Sequence, residues 1–429
     1  WLDNNDWDRI EKGLIERVGS EDTVESHLAI EALGHVGRER AKNALRDYVA
    51  KGSKDSLVAR LAAIRALGHL KDEESVPMLG DLLERSAAKV ALKPAKSHEF
   101  GWAAMPDHLA GAAAEALGRI ATPEAEQRLI ATFDRLAEFW YYTYRTADHD
   151  WLMGCHSSII HFRIAEALEA IGSKKAAGLT GKLLRCVPID TDRALLHEND
   201  AYETVIARLI QRSGMGPAVV DTCLVVLGDK NAKGSAELTA AVTASPPAKS
   251  VGPLSPQSRA AHLLSVVCLR PEDAPPVRAA FERYRAQEPS RVQSWVCFFL
   301  ARTLGKLGDR ESVDVLRSAL DDDPTEASFG LPDPPNVFIH DAMTPLYRAS
   351  AADALGRIGD KQAVPSLLAA VKNYENAMDV RRAAAEALGR IADPAGSEEI
   401  EALAEDYPEI STAQALREAH AAIVDKEDK

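Results

Sequence analysis

Residues 351–371 read AADALGRIGDKQAVPSLLAAV. Ala351, Ala354, Leu355 and Ile358 recur at i, i+3, i+4 and i+7, which lays one apolar stripe along a short helix. Gly359 follows that stripe, and glycine can take the left-handed conformation that closes a helix at no steric cost. Asp360 then supplies a side-chain oxygen to cap a second helix, whose apolar positions are Ala363, Val364, Leu367, Leu368 and Val371. The stretch is a helical hairpin with one sticky side. Too small to bury that side alone, it needs copies of itself stacked above and below.

The copies are present. Outward from this hairpin the chain carries EALGHVG around Gly34, RALGHLKD around Gly68, EALGRIATPEA around Gly118, EALEAIGSKKA around Glu169, RTLGKLGDRESV around Gly305 and EALGRIADPAG around Gly389. Gly34 to Gly68 is 34 residues and Gly356 to Gly389 is 33, which sets the period. Gly68 to Gly118 spans 50, while Gly118 to Glu169 and Gly305 to Gly356 each span 51, so some repeats carry an insertion. The pattern resembles the HEAT-repeat superfamily, and within it the short bacterial phycobilisome-lyase-like repeat. The resemblance rests on Ala-Leu-Gly, a following Ile or Leu, Gly-Asp, and an Ala-Val pair opening the second helix, as in Ala354–Asp360 with Ala363 and Val364. It covers roughly residues 20 to 425, weakly between about 200 and 290. It implies an all-α, right-handed solenoid of stacked hairpins, and a role among scaffolds, adaptors, chromophore lyases and metalloenzymes.

Composition agrees with helices packed through small residues. The 429-residue chain is 46% hydrophobic but only 6% aromatic, and no strand-rich domain is suggested. A formal charge of −14 argues against a phosphate-binding groove, which needs Lys/Arg clusters, and local pairs such as Arg381-Arg382 do not change that; it reads first as a solubilising charge spread over solvated faces, and otherwise accommodates a basic partner or cationic ligand. Cys155, Cys186, Cys223, Cys268 and Cys297 show no CxxC spacing, so neither a disulfide framework nor a zinc knuckle is implied. Cys223, Cys268 and Cys297 sit in apolar helical runs and are expected in the core. Unpaired cysteines favour a cytoplasmic location, although a chain beginning at Trp1 leaves room for a removed signal, and no segment is long and apolar enough to span a membrane.

In chain order, residues 1–20 read as an amphipathic capping helix. An N-terminal solenoid segment runs over 1–244, with insertions at 86–107, 138–155 and 187–200. Residues 245–257, SPPAKSVGPLSPQ, read as a flexible Pro/Ser/Gly-rich loop, and a second segment over 258–429 carries an insertion at 321–344. Thr122-Pro123 marks a helix start, an N-cap followed by proline.

Every insertion falls between the second helix of one hairpin and the first helix of the next, so stacking gathers them on one edge. The second insertion, EFWYYTYRTADHDWLMGC, packs Phe139, Trp140, Tyr141, Tyr142, Tyr144 and Trp151 into one short run, and Trp102 lies in the first. Such side chains serve as interface anchors, or fold back to cover the solenoid edge. The insertions and their borders also carry His108, His149, His156, His197 and His340, with His98, Glu99, Asp150, Cys155, Glu198, Asp200 and Asp341. Convergence of those histidines would make a metal or haem site, against which stands the ordinary use of loop histidines as caps. HEAT-type deoxyhypusine hydroxylases hold two irons with His-Glu pairs in their repeat helices. Here His98-Glu99 and His197-Glu198 both sit in insertions, so the match fails in number and position. Asp148 and Asp150 beside the tyrosines could bind a bilin, on fold analogy alone.

With no HExxH, CxxCH, GxSxG or phosphate loop, no catalytic set stands out. The expectation is a non-catalytic scaffold, a subunit of a complex, that engages another protein through a concave surface, formed by the second helices, and through the edge loops, with no cofactor. The alternative is a metal- or tetrapyrrole-using enzyme or lyase-like protein built on that edge.

Overall fold

The computed structural model describes residues 4–51, 57–90, 105–136, 144–145, 151–152, 157–187, 201–244, 255–267, 270–288, 290–322 and 346–427. The protein is an all-α solenoid of helical hairpins, and its contacts divide into two compact units, Trp1–Met215 and Gly216–Lys429. Residues 245–254, within the expected Pro/Ser/Gly-rich loop, lie outside the described residues.

In the first unit a leading helix α1 (Asn4–Arg17) precedes the hairpins α2 (Thr23–Val36) with α3 (Glu39–Lys51), α4 (Leu57–His69) with α5 (Val76–Val90), α6 (Met105–Ile120) with α7 (Pro123–Arg135), and α8 (Ser157–Ile171) with α9 (Thr180–Cys186). Between α7 and α8, β1 (Tyr144–Arg145) and β2 (Trp151–Leu152) form a two-residue antiparallel ladder, and α10 (Ala201–Arg212) follows. In the second unit the hairpins are α11 (Gly216–Val226) with α12 (Ala236–Val242), α13 (Pro256–Val267) with α14 (Ala274–Arg285), α15 (Arg291–Leu307) with α16 (Val313–Leu320), α17 (Leu346–Ile358) with α18 (Val364–Lys372), and α19 (Met378–Ile391) with α20 (Ser397–Asp406). Helix α21 (Ile410–Glu427) closes it.

The turns form for the reasons their residues suggest. Gly359 takes φ +73° and the Asp360 carboxylate accepts the Gln362 N–H at 2.9 Å. Thr122 caps α7, its hydroxyl accepting the Ala125 N–H at 3.2 Å. Where the repeat lacks that glycine, a residue with a side chain is forced into the same left-handed well: Lys71 has φ +47°, Ala121 φ +58° and Ala392 φ +47°. Helix α5 runs on to Val90, past the expected start of the first insertion at residue 86, because Ser86 and Ala87 are still buried against the stack.

Each unit has two layers, and they are built differently. First helices stack backbone to backbone. A methyl group at Gly68 would fall 2.7 Å from the Ala116 Cα, and one at Gly356 would fall 2.7 Å from the Ala387 Cα. Second helices touch more sparsely and are held apart by long side chains: Arg128 of α7 reaches Asp81 and Glu84 of α5, each at 3.2 Å, and Arg317 of α16 reaches Ser366 of α18 at 3.1 Å. A shallow groove of about 280 Å³, lined by Ile130, Asp134, Lys175 and Leu179, opens in this looser layer of the first unit. The first helices thus form the more tightly spaced layer of each unit.

Candidate interaction surface

The repeat places chemistry on the first-helix face by register, counted from its central glycine. The position after the glycine holds His35, His69 and Arg119 in the first unit and Lys306, Arg357 and Arg390 in the second. Three residues before it stand Glu31, Arg65, Glu115 and Glu166, then Arg302, Asp353 and Glu386. One helical turn separates the two rows, so both point away from the buried stripe.

The rows pair across helices. Arg65 meets Glu115 at 3.5 Å, Arg119 donates to Glu115 at 3.0 Å, and Arg119 Nη1 lies 3.1 Å from His69 Nδ1, whose ring is 5.6 Å from that of His35. Loss of water around the ring, and then the nearby charge of Arg119 and His35, lower the His69 pKa below its ordinary value against the pull of Glu115. In the second unit Arg357 donates to Asp353 at 2.8 Å, Arg390 bonds Asp353 as well, and Arg382 pairs with Glu386 at 3.1 Å. A ladder of paired charges thus runs along the stacking direction of each unit.

The edge where insertions open is anchored by a second set of contacts. Among the described residues, each break between α5 and α6, α7 and α8, α9 and α10, and α16 and α17 joins the C-terminus of a second helix to the N-terminus of the next first helix. Three such openings share one edge of the first unit. Burial works against the Glu84 carboxylate, but bonds from Arg135 and Arg128 hold its pKa below the usual value, tying the C-terminal ends of α5 and α7 together. At the fourth opening Arg285 grips Asp322 with two bonds, 2.8 and 2.6 Å, and the Tyr347 hydroxyl donates to the same carboxylate at 2.7 Å. The residue where the chain leaves α16 is thereby clamped to the one where it re-enters α17. Burial, and then the bond to Asp322, push the Tyr347 hydroxyl pKa up.

Of the aromatics expected as anchors, Tyr144 lies in β1 opposite Leu152, and Trp151 lies in β2 opposite Arg145. Phe139, Trp140, Tyr141, Tyr142 and Trp102 lie outside the described residues. Among the expected ligands, His108 is exposed on α6, while His149, His156, His197 and His340 lie outside the described residues, as do His98, Glu99, Asp148, Asp150, Cys155, Glu198, Asp200 and Asp341. No group of three or more His, Cys, Asp or Glu that could hold a metal occurs among the described residues. Cys223 and Cys297 are buried free thiols, and burial pushes Cys223 up to about 12.

Sequence reasoning missed a buried cation that recurs eight positions before the repeat glycine. Arg348 donates to the Leu320 carbonyl at 3.2 and 2.5 Å and to Asn376 Oδ1 at 2.7 Å. Arg381 donates to the carbonyls of Tyr374, at 2.8 Å, and Asn376, and grips Glu409. These guanidiniums satisfy carbonyls left over where a second helix ends and a first begins. The repeat register was the available signal, since Arg60, Arg348 and Arg381 all occupy it.

A profile of HEAT repeats matches residues 11–95 and 338–419, and one of the PBS lyase HEAT-like repeat matches 109–135 and 296–322. The chain belongs to the HEAT-repeat superfamily. No curated protein matches this HEAT-repeat chain. Among solved structures it is similar to the CpcE–CpcF complex of phycocyanin lyase from Nostoc sp., at 18% identity over 70% of this chain and 88% of that one, with a TM-score of 0.32. Human deoxyhypusine hydroxylase aligns at 17% identity over 98% and 96%, TM-score 0.25. Kap121p bound to Nup53p aligns at 13% over 99% of this chain and 46% of that one, TM-score 0.46. At these identities and scores the likeness says nothing about activity. Among the described residues no helix is long and apolar enough to cross a membrane.

Proposed function

We propose that the chain is a non-catalytic HEAT-repeat scaffold that binds a protein partner along the first-helix face and the insertion edge. The observation that supports this reading is the register itself: the same outward positions carry polar and charged groups helix after helix, giving an extended surface with no single focus. Such a surface suits a long partner segment better than a small substrate. Phe139, Trp140, Tyr141, Tyr142, Tyr144, Trp151 and Trp102 are assigned as anchors, because large rigid rings with polar tips give much contact area at little entropic cost.

The test is a pull-down from the native source with the whole chain and with the aromatics of 138–155 changed to alanine. A partner retained by the first and lost by the second supports the scaffold; retention by both removes the anchors from it. Elemental analysis and an ultraviolet–visible spectrum of protein purified without chelators test the other class. Stoichiometric metal or a Soret or bilin band would replace the scaffold with a cofactor site on the insertion histidines, His108, His149, His156, His197 and His340.

A further inference from the structure

In the second unit three large apolar side chains stand in water: Tyr374 is 58% exposed, Met378 49% and Ile410 87%. They are neighbours through one pair. Arg381, one turn after Met378, donates to the Tyr374 carbonyl and grips Glu409, the residue before Ile410. Tyr374 stacks one ring face on Tyr407 with centroids 5.6 Å apart, and the Arg381 guanidinium sits 5.8 Å from the same ring. The patch thus rests on a partly buried ion pair and a stacked ring. Exposed large apolar side chains gathered around one ion pair mark a contact site.

The rim of the patch is rich in carboxylates. Glu375 adjoins Tyr374, and Glu405 and Asp406 adjoin Tyr407. All three are exposed and form no ion pair among the described residues. Of the nearby cations, Arg381 is engaged with Glu409, Arg382 with Asp379 at 3.6 Å and Glu386 at 3.1 Å, and Lys372 with Glu399, while Arg417 donates to the Ala404 carbonyl at 3.5 Å. Apolar anchors flanked by three carboxylates without an ion pair among the described residues, with part of a tyrosine ring still open, complement an apolar segment flanked by lysine or arginine. Its cations would meet Glu375, Glu405 and Asp406, and one could lie over Tyr374. We infer that the Tyr374–Met378–Ile410 patch docks a basic amphipathic helical segment of a protein partner. This site is independent of the aromatic insertion, and either can fail without the other.

The experiment is fluorescence anisotropy on the full chain with a labelled helical peptide of repeating Leu-Lys-Lys-Leu, and with the same peptide carrying Glu for Lys. The lysine peptide should bind and the glutamate peptide should not. Ile410→Glu and Met378→Glu should each weaken binding about tenfold, although each adds a negative charge. Glu405→Gln with Asp406→Asn should weaken it several-fold and flatten its salt dependence. Unchanged or tighter binding by Ile410→Glu and Met378→Glu would show diffuse attraction to an acidic protein and overturn the assignment. So would self-association, seen by sedimentation without peptide and abolished by Ile410→Glu, because the occupant would then be a second copy. Both substituted side chains are exposed, so unfolding temperatures should stay unchanged and separate lost docking from lost folding.

Discussion

The two helix layers solve the same stacking problem with opposite chemistry. First helices meet through glycine and alanine and leave no room for a side chain between backbones, as at Gly68 on Ala116 and Gly356 on Ala387. Second helices meet through arginine and carboxylate, as at Arg128 with Asp81 and Glu84, and Arg278 of α14 likewise reaches Asp309 and Glu311 in the turn that opens α16. Close packing has a steep energy and tolerates little; long ion pairs have a shallow one and tolerate a great deal. The inner layer fixes the geometry of the stack, and the outer layer can vary.

The largest effect should come where the layers are joined. Arg381→Leu strips Glu409 and the Tyr374 and Asn376 carbonyls of their partner and should cost about 3–5 kcal/mol in denaturant unfolding. Adding Glu409→Leu should recover part of that loss, and a single variant as stable as the parent would show the pair to be incidental.

Next is the contrast between two glycines in helix interiors of the same unit. Gly68→Ala drives a methyl against the Ala116 backbone and should cost roughly 1–3 kcal/mol. Gly80→Ala meets only the flexible Arg128 chain, at 3.0 Å, and should be neutral or gain up to about 1 kcal/mol through helix propensity. Equal effects in thermal melts would erase the distinction between the layers.

Two smaller changes sharpen it. Arg278→Ala in the outer layer should cost no more than about 1 kcal/mol, and less in high salt. Ala392→Gly relieves a left-handed alanine and should stabilise by about 0.5–1 kcal/mol in the same melts.

The smallest effect concerns pH. His69 has a folded pKa below its unfolded value, so the unfolded chain binds its proton first. Its contribution is intact above the unfolded pKa of about 6.5 and is lost as pH falls through the window down to the folded value. Stability should therefore decline on acidification in that window, and His69→Gln should flatten the decline.

The repeat was legible because Ala354, Leu355 and Gly356 impose a period, and Gly359-Asp360 and Thr122-Pro123 name their turns. Apolar periodicity shows which face of a helix is buried, however, and not which layer is packed more tightly. The glycine-and-alanine signature of the first helices held that information. Arg381 entered with Arg382 only as a local basic pair, because an apolar stripe has no place for a buried cation, and only the matching position of Arg348 reveals it. Of the anchors, the fold places Tyr144 and Trp151 in a short ladder. Insertions have no second copy in the chain to be read against.

The most direct measurement is site-specific photo-crosslinking in extract of the native source. A photoreactive residue would be placed at Glu31, Arg65 or Glu115 on the first-helix face, and at Asp81, Gln127 or Arg317 on the second-helix layer. The account predicts that one protein is captured from the first three positions and not from the last three. Capture from the second-helix positions alone, or equally from both layers, would contradict it.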